Sequence, residues 1–128
     1  MKKLFIIIPL LILAGCKPGA DKAIELAKSE ISAPMKDPDS TKFRYLRYKD
    51  ISTDQDGVVK GYVCGEVNAK NSFGAYAGYN KFIIVLSMKS KGLFSQGVNY
   101  SVLGVGQFDD NSNQTDLIKY KEQCGNDE

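Results

Sequence analysis

Three cysteines, Cys16, Cys64 and Cys124, carry most of the reactive chemistry available to this chain of 128 residues, which contains no histidine. Without an imidazole, a general base has to be a carboxylate or a lysine with a shifted pKa. None of the 15 acidic residues stands in a spacing that marks a catalytic site. No G-x-S-x-G elbow or phosphate loop occurs either. The cysteines form no C-x-x-C pair, and no imidazole is there to complete a metal-binding set. Asp54, Asp56 and Gly57 begin like a calcium loop but lack the rest of the series and its distal glutamate. The expectation is a chain with no catalytic residues, metal or cofactor, whose cysteines make covalent links.

The N-terminus says what the first of those links is. Lys2 and Lys3 precede an apolar run from Leu4 to Leu13, and Leu13-Ala14-Gly15-Cys16 follows directly. That run is about half of the roughly twenty residues a spanning helix needs, and it has the pattern of a targeting segment. The tetrad resembles the lipobox of bacterial lipoproteins. The resemblance implies that residues 1–15 are a signal peptide and that Cys16 is acylated after cleavage. Residues 16–20 then form the lipidated cysteine and a linker, and residues 21–128 a single domain. Two or three acyl chains, at about 0.8 kcal/mol per buried methylene, anchor more firmly than the single chain that binds reversibly. Lys17 stands where an aspartate would imply retention in the inner membrane, so the resemblance points to the outer membrane of a Gram-negative envelope. The alternative is an ordinary signal peptide with a chance cysteine.

Processing removes Lys2 and Lys3 and takes the 17 basic residues to 15, equal to the 15 acidic ones. A neutral body argues against a nucleic-acid partner, which needs a basic face. Lys42, Arg44, Arg47 and Lys49 cluster locally, but Tyr45, Leu46 and Tyr48 are interleaved, as on the solvated face of a strand. With Cys16 acylated, Cys64 and Cys124 remain in an oxidising compartment and are expected to form a disulfide.

The elements that position these residues read as an α+β domain. A helix is expected from Asp21, whose carboxylate can cap it, to Ser32 or Ala33, where Pro34 stops it, with Ala20, Ala23, Ile24, Ala27 and Ile31 on one stripe. Four strands follow, at Lys42–Ile51, Val58–Ala69, Phe82–Met88 and Val98–Phe108, separated by turn-rich stretches. The third is almost continuously apolar and reads as central. On the second, Val59, Val63 and Val67 share a face with Gly61 and Gly65, opposite Tyr62 and Cys64. Interior glycines imply something packed close above, and the alanines of the helix are the expected neighbour. A short C-terminal helix over Asp116–Gln123 turns Leu117, Ile118 and Tyr120 inward, and Gly125–Glu128 is expected to fray. The predicted fold is thus a helix packed on an antiparallel sheet of about four strands, closed by a short helix and the Cys64–Cys124 bond.

Two stretches, Lys36–Arg44 and Val63–Gly78 with Phe82, resemble short bacterial and prophage-encoded secreted proteins. These share a K-D-P-x-S-x-x-F-R turn and a C-G-x-V-N-x-K-N-x-F-G-x-Y-x-G motif. The resemblance implies a shared fold and brings no activity with it. Within the second motif, Phe73, Tyr76 and Tyr79 recur every three residues and are expected to form one aromatic cluster. That cluster either roofs the sheet or is presented to a partner as a tyrosine-rich contact surface. Glu66 and Lys70 flank it and read as a surface pair.

The expected function is therefore a membrane-anchored, non-enzymatic binding module of the cell envelope. Its expected partners are the membrane, through Cys16, and an outer-membrane protein met by Phe73, Tyr76 and Tyr79. Prophage-type superinfection exclusion at an outer-membrane receptor and a structural accessory of outer-membrane assembly are the two roles such a module fits.

Overall fold

The computed structural model describes residues 17–92, 95 and 97–127. The expected signal peptide 1–15, the acylated Cys16 and Leu93 lie outside the described residues. The domain has the expected α+β order: helix α1 (Ala20–Ser32), strands β1 (Lys42–Thr53), β2 (Val59–Asn68), β3 (Asn80–Ser90) and β4 (Val98–Phe108), then helix α2 (Gln114–Cys124). The four strands form one sheet in the order β1-β2-β3-β4, every neighbouring pair antiparallel. Among the described residues no helix is long and apolar enough to cross a membrane.

The core lies between α1 and one face of the sheet. Ala23, Ala27 and Ile31 pack there on Val59, Val63, Val67, Phe82, Ile84, Leu86 and Met88. The alternation of side chains along each strand places them together: β3 is buried at every second residue, while β2 is buried on both faces from Val63 to Val67. On β3 the alternate residues Lys81, Ile83, Val85 and Ser87 are only half-buried. Its continuous apolarity reflects a central position, with α2 covering part of the second face.

Two details of α1 and β2 differ from expectation. Gly19, not Asp21, caps α1, through a backbone bond from Ala23 at 3.1 Å, and no side chain caps the end. Asp21 sits within the first turn, where its charge suits the positive end of the helix dipole. The space above Gly61 and Gly65 is filled by β1, not by the alanines of α1. A Cβ on Gly61 would lie 2.3–2.5 Å from the Tyr48 ring, and one on Gly65 would lie 2.7 Å from Leu46. The neighbouring strand is nearer than the covering helix, and its large side chains lean across.

β1 is irregular in a way that matters for the site. Its register with β2 jumps between Arg44 and Arg47, and Tyr45 adopts a left-handed φ of 55°. Three steps on β1 therefore match two on β2, from Arg44↔Glu66 to Arg47↔Cys64. An unbroken strand would send residues 44 and 47 to opposite faces. The bulge puts both arginines on the face that α2 covers.

α2 starts at Asn113, whose side chain accepts a hydrogen bond from the Asp116 amide at 2.9 Å. Tyr120 is buried and meets Phe108 with ring centroids 5.4 Å apart. Ile118, expected to face inward, is instead 51% exposed. The Cys64–Cys124 disulfide joins the end of the helix to β2, with a Cα separation of 5.9 Å.

Candidate functional site

Residues around the loop between β2 and β3 form the most distinctive surface. Below the loop lies a polar layer built on the arginine face of β1. Arg44 and Lys81 both bind the buried Glu66 carboxylate, the lysine at 3.1 Å. Lys81 also pairs with Asp127, which accepts from Arg47 at 2.9 Å. Arg47 further donates to the Cys124 carbonyl and to the Tyr45 carbonyl, each at 2.7 Å. The Tyr120 hydroxyl donates to the Gly65 carbonyl at 3.3 Å. Positive and negative groups alternate through this layer as Arg44, Glu66, Lys81, Asp127 and Arg47.

These contacts overturn three expectations. Glu66 and Lys70 do not form a surface pair. Arg44 and Arg47 are not an idle solvated face. The C-terminal residues do not fray through Asp127, which is pinned by two cations. Nothing in residue periodicity signals Asp127, because its partners come from β1 and β3. The preceding Gly125, at φ 75°, lets the chain turn back toward them.

The protonation states suit a structural role for the layer. Burial pushes the Glu66 carboxyl upward, but hydrogen bonds from Arg44 and Lys81, with their charges, more than offset it and leave the pKa below the usual value. Burial raises the Tyr120 phenol, so it stays protonated near neutrality. Because Glu66 has a lowered folded pKa, its contribution is present above the unfolded value near 4.5 and is lost as pH falls through the folded one. Acid titration of the unfolding midpoint is expected to show a steep fall below about pH 4.5. In Glu66→Gln that fall should be shallower, and identical acid limbs in the two proteins would refute the assignment.

Above this layer the loop is locked by its own backbone. The Asn71 side chain accepts from the Phe73 and Ala75 amides at 3.0 and 3.1 Å. The Asn71 amide donates to the Ala75 carbonyl at 2.8 Å, and Gly74 turns at φ 77°. Lys70 and Tyr76 form a β-bridge that closes the base. The Asn68 side chain accepts from Gly78 at 3.2 Å.

Phe73, Tyr76 and Tyr79 do not form one aromatic cluster, and they do not roof the sheet. Phe73 stands 93% exposed at the tip. Tyr76 donates its hydroxyl to the Ser40 carbonyl at 2.8 Å, and Lys42 sits 4.5 Å from its ring centre. Tyr79 lies under the Arg44 guanidinium at 3.8 Å. The two tyrosines are thus held by cations of β1, and one ring is left free. Among the described residues no three His, Cys, Asp or Glu side chains gather as a metal site. The Asp54 carboxylate instead accepts from the Asp56 and Val58 amides of its own turn, each at 2.9 Å.

The chain matches no family model, no curated protein and no solved structure. Its function has to be read from its own residues.

Proposed function

We propose that this chain is a lipid-anchored envelope lipoprotein that acts as a non-enzymatic binding module, with Phe73 as the anchor of its contact. Membrane attachment through Cys16 rests on the lipobox resemblance. One observation carries the contact: a phenylalanine 93% exposed on a turn that its neighbours hold rigid. An aromatic side chain carried on a preordered backbone binds with less loss of entropy than one on a loose loop. Tyr76 and Tyr79, clamped by Lys42 and Arg44, form the base that keeps the tip in place.

The position of the tip supports this reading. Lys17, Pro18 and Gly19 border Ser90, Gly97 and Val98, at the end of the sheet where β3 passes to β4. The loop between β2 and β3 leaves the opposite end, about a strand length away. Phe73 therefore lies far from the anchored end and reaches a neighbouring outer-membrane protein more readily than its own lipid.

The test is affinity capture from detergent-solubilised envelopes, with the processed full chain and its Phe73→Ser variant side by side. Enrichment of one outer-membrane protein is expected, with affinity falling by roughly 30-fold or more in the variant, as for a buried interface anchor. The unfolding midpoint should not move, because an exposed residue contributes little to stability. Equal capture by the two proteins would remove Phe73 from the site.

A further inference from the structure

We propose that β4 pairs edge to edge with β4 of a second copy of this chain, joining two four-stranded sheets into one of eight strands. Among the described residues the sheet has two free edges, β1 and β4. They are built oppositely. β1 carries Lys42, Arg44, Arg47, Lys49 and Asp50, breaks register twice and holds Tyr45 at a left-handed φ. These are the devices that keep an edge strand from pairing with another chain. β4 has eleven residues, VNYSVLGVGQF, without a charge or a proline and with one bulge, at Leu103.

The face of β4 is only partly covered. α1 packs mainly on β1, β2 and β3 and reaches β4 near its start, where Val98 packs on the core and the Tyr100 hydroxyl donates to Glu30 at 2.5 Å. Tyr100, Val102 and Val105 pair with Met88, Leu86 and Ile84 and so point to the α1 side, where they are 39%, 38% and 54% exposed. Leu103 is 55% exposed. A run of apolar side chains along an unpaired edge needs a cover.

Charge selects the occupant. In a two-fold antiparallel pair every residue opposes one from the same short stretch, and like charges placed opposite each other repel. A strand with no charge faces its own copy without that penalty. About five residues on each strand turn their backbone groups outward, giving about ten hydrogen bonds, the number found in a typical stable interface. The guarded β1 edges then stop growth at two copies, so the pairing closes and does not run on as a fibre.

The geometry agrees with membrane attachment, although the inference rests on β4 and not on the anchor or the loop. A two-fold axis normal to the sheet puts both α1 helices on one face, and the Lys17–Gly19 linkers with them. Two anchored copies can then enter one leaflet with the sheet lying along the membrane. Their Phe73 tips point sideways from opposite ends.

Sedimentation equilibrium of the processed full chain, in density-matched detergent at several detergent ratios, tests the pairing. A dimer is expected, together with amide exchange over Val98–Phe108 that slows as protein concentration rises. The Val102→Lys/Val105→Lys variant should be monomeric, with that exchange fast at every concentration and an unfolding midpoint independent of concentration, while its capture by the Phe73 contact stays the same. A wild-type chain that remains a monomer at about 1 mM overturns the proposal and leaves the edge to a strand of a different protein. A dimer that persists unchanged in the lysine variant overturns it too, by placing the interface elsewhere.

Discussion

Replacing Cys64 and Cys124 together with alanine is expected to lower the free energy of unfolding by about 4 kcal/mol. The bond spans a separation of 60 residues, so its loss returns a large share of conformational freedom to the unfolded chain. The effect is large against a total that for a domain of this size is about 5–15 kcal/mol. It should also be uneven across the molecule. Without the bond, α2 is an eleven-residue helix held by the Tyr120 ring, by the Tyr62 hydroxyl on the Gln123 carbonyl at 2.9 Å and by Arg47. A helix of that length is marginal alone. Urea titration is therefore expected to show an earlier midpoint, with α2 amides exchanging well before those of β2 and β3. A loss below about 1 kcal/mol would mean that the hydrogen bonds, and not the cross-link, hold the C-terminal segment.

The second large effect is expected from Phe82→Ala, at about 3–5 kcal/mol. Phe82 is fully buried, meets Phe43 edge-on with centroids 6.0 Å apart and lies across from Gly65 on β2. Gly65 supplies no side chain to move into the space the ring would leave. Leu46 already rests on that glycine and cannot advance without shifting β1. The cavity should stay open, which puts the cost at the high end for a phenylalanine. Phe82→Leu, which keeps much of the volume, is expected to cost less than half as much in the same urea titration. Equal costs for the two would show that the site collapses freely.

Periodicity made the fold readable. The alternation in Val59, Val63 and Val67, and the spacing of Ala23, Ala27 and Ile31, are local signals, and the structure keeps both. β4 begins and ends at the expected residues, because Gly97 and Asp109 bound an uncharged run. The Cys64–Cys124 pairing was legible because the lipobox resemblance set Cys16 aside and left two cysteines to consider. The site was less legible, since its geometry depends on departures from period. The Arg44–Arg47 bulge moves two cations onto one face, which an alternating pattern cannot announce. Phe73, Tyr76 and Tyr79 recur every three residues, yet the backbone between them follows turns set by Asn71, Gly74 and Gly78. Asp127 shows no local sign at all: its role comes from Arg47 and Lys81, 80 and 46 residues away in sequence.

The strand order β1-β2-β3-β4 has a kinetic consequence. Each strand pairs with the one made just before it, so the sheet forms through short-range closures, and topologies of that kind fold fast for a β-rich chain. A chain synthesised from its N-terminus has β1, β2, β3 and α1 complete before its last residues are added. The pairing of Cys124 with Cys64 and the docking of Asp127 must wait for the end of the chain. The clamp is thus the last part to assemble, and it closes on a sheet already in place.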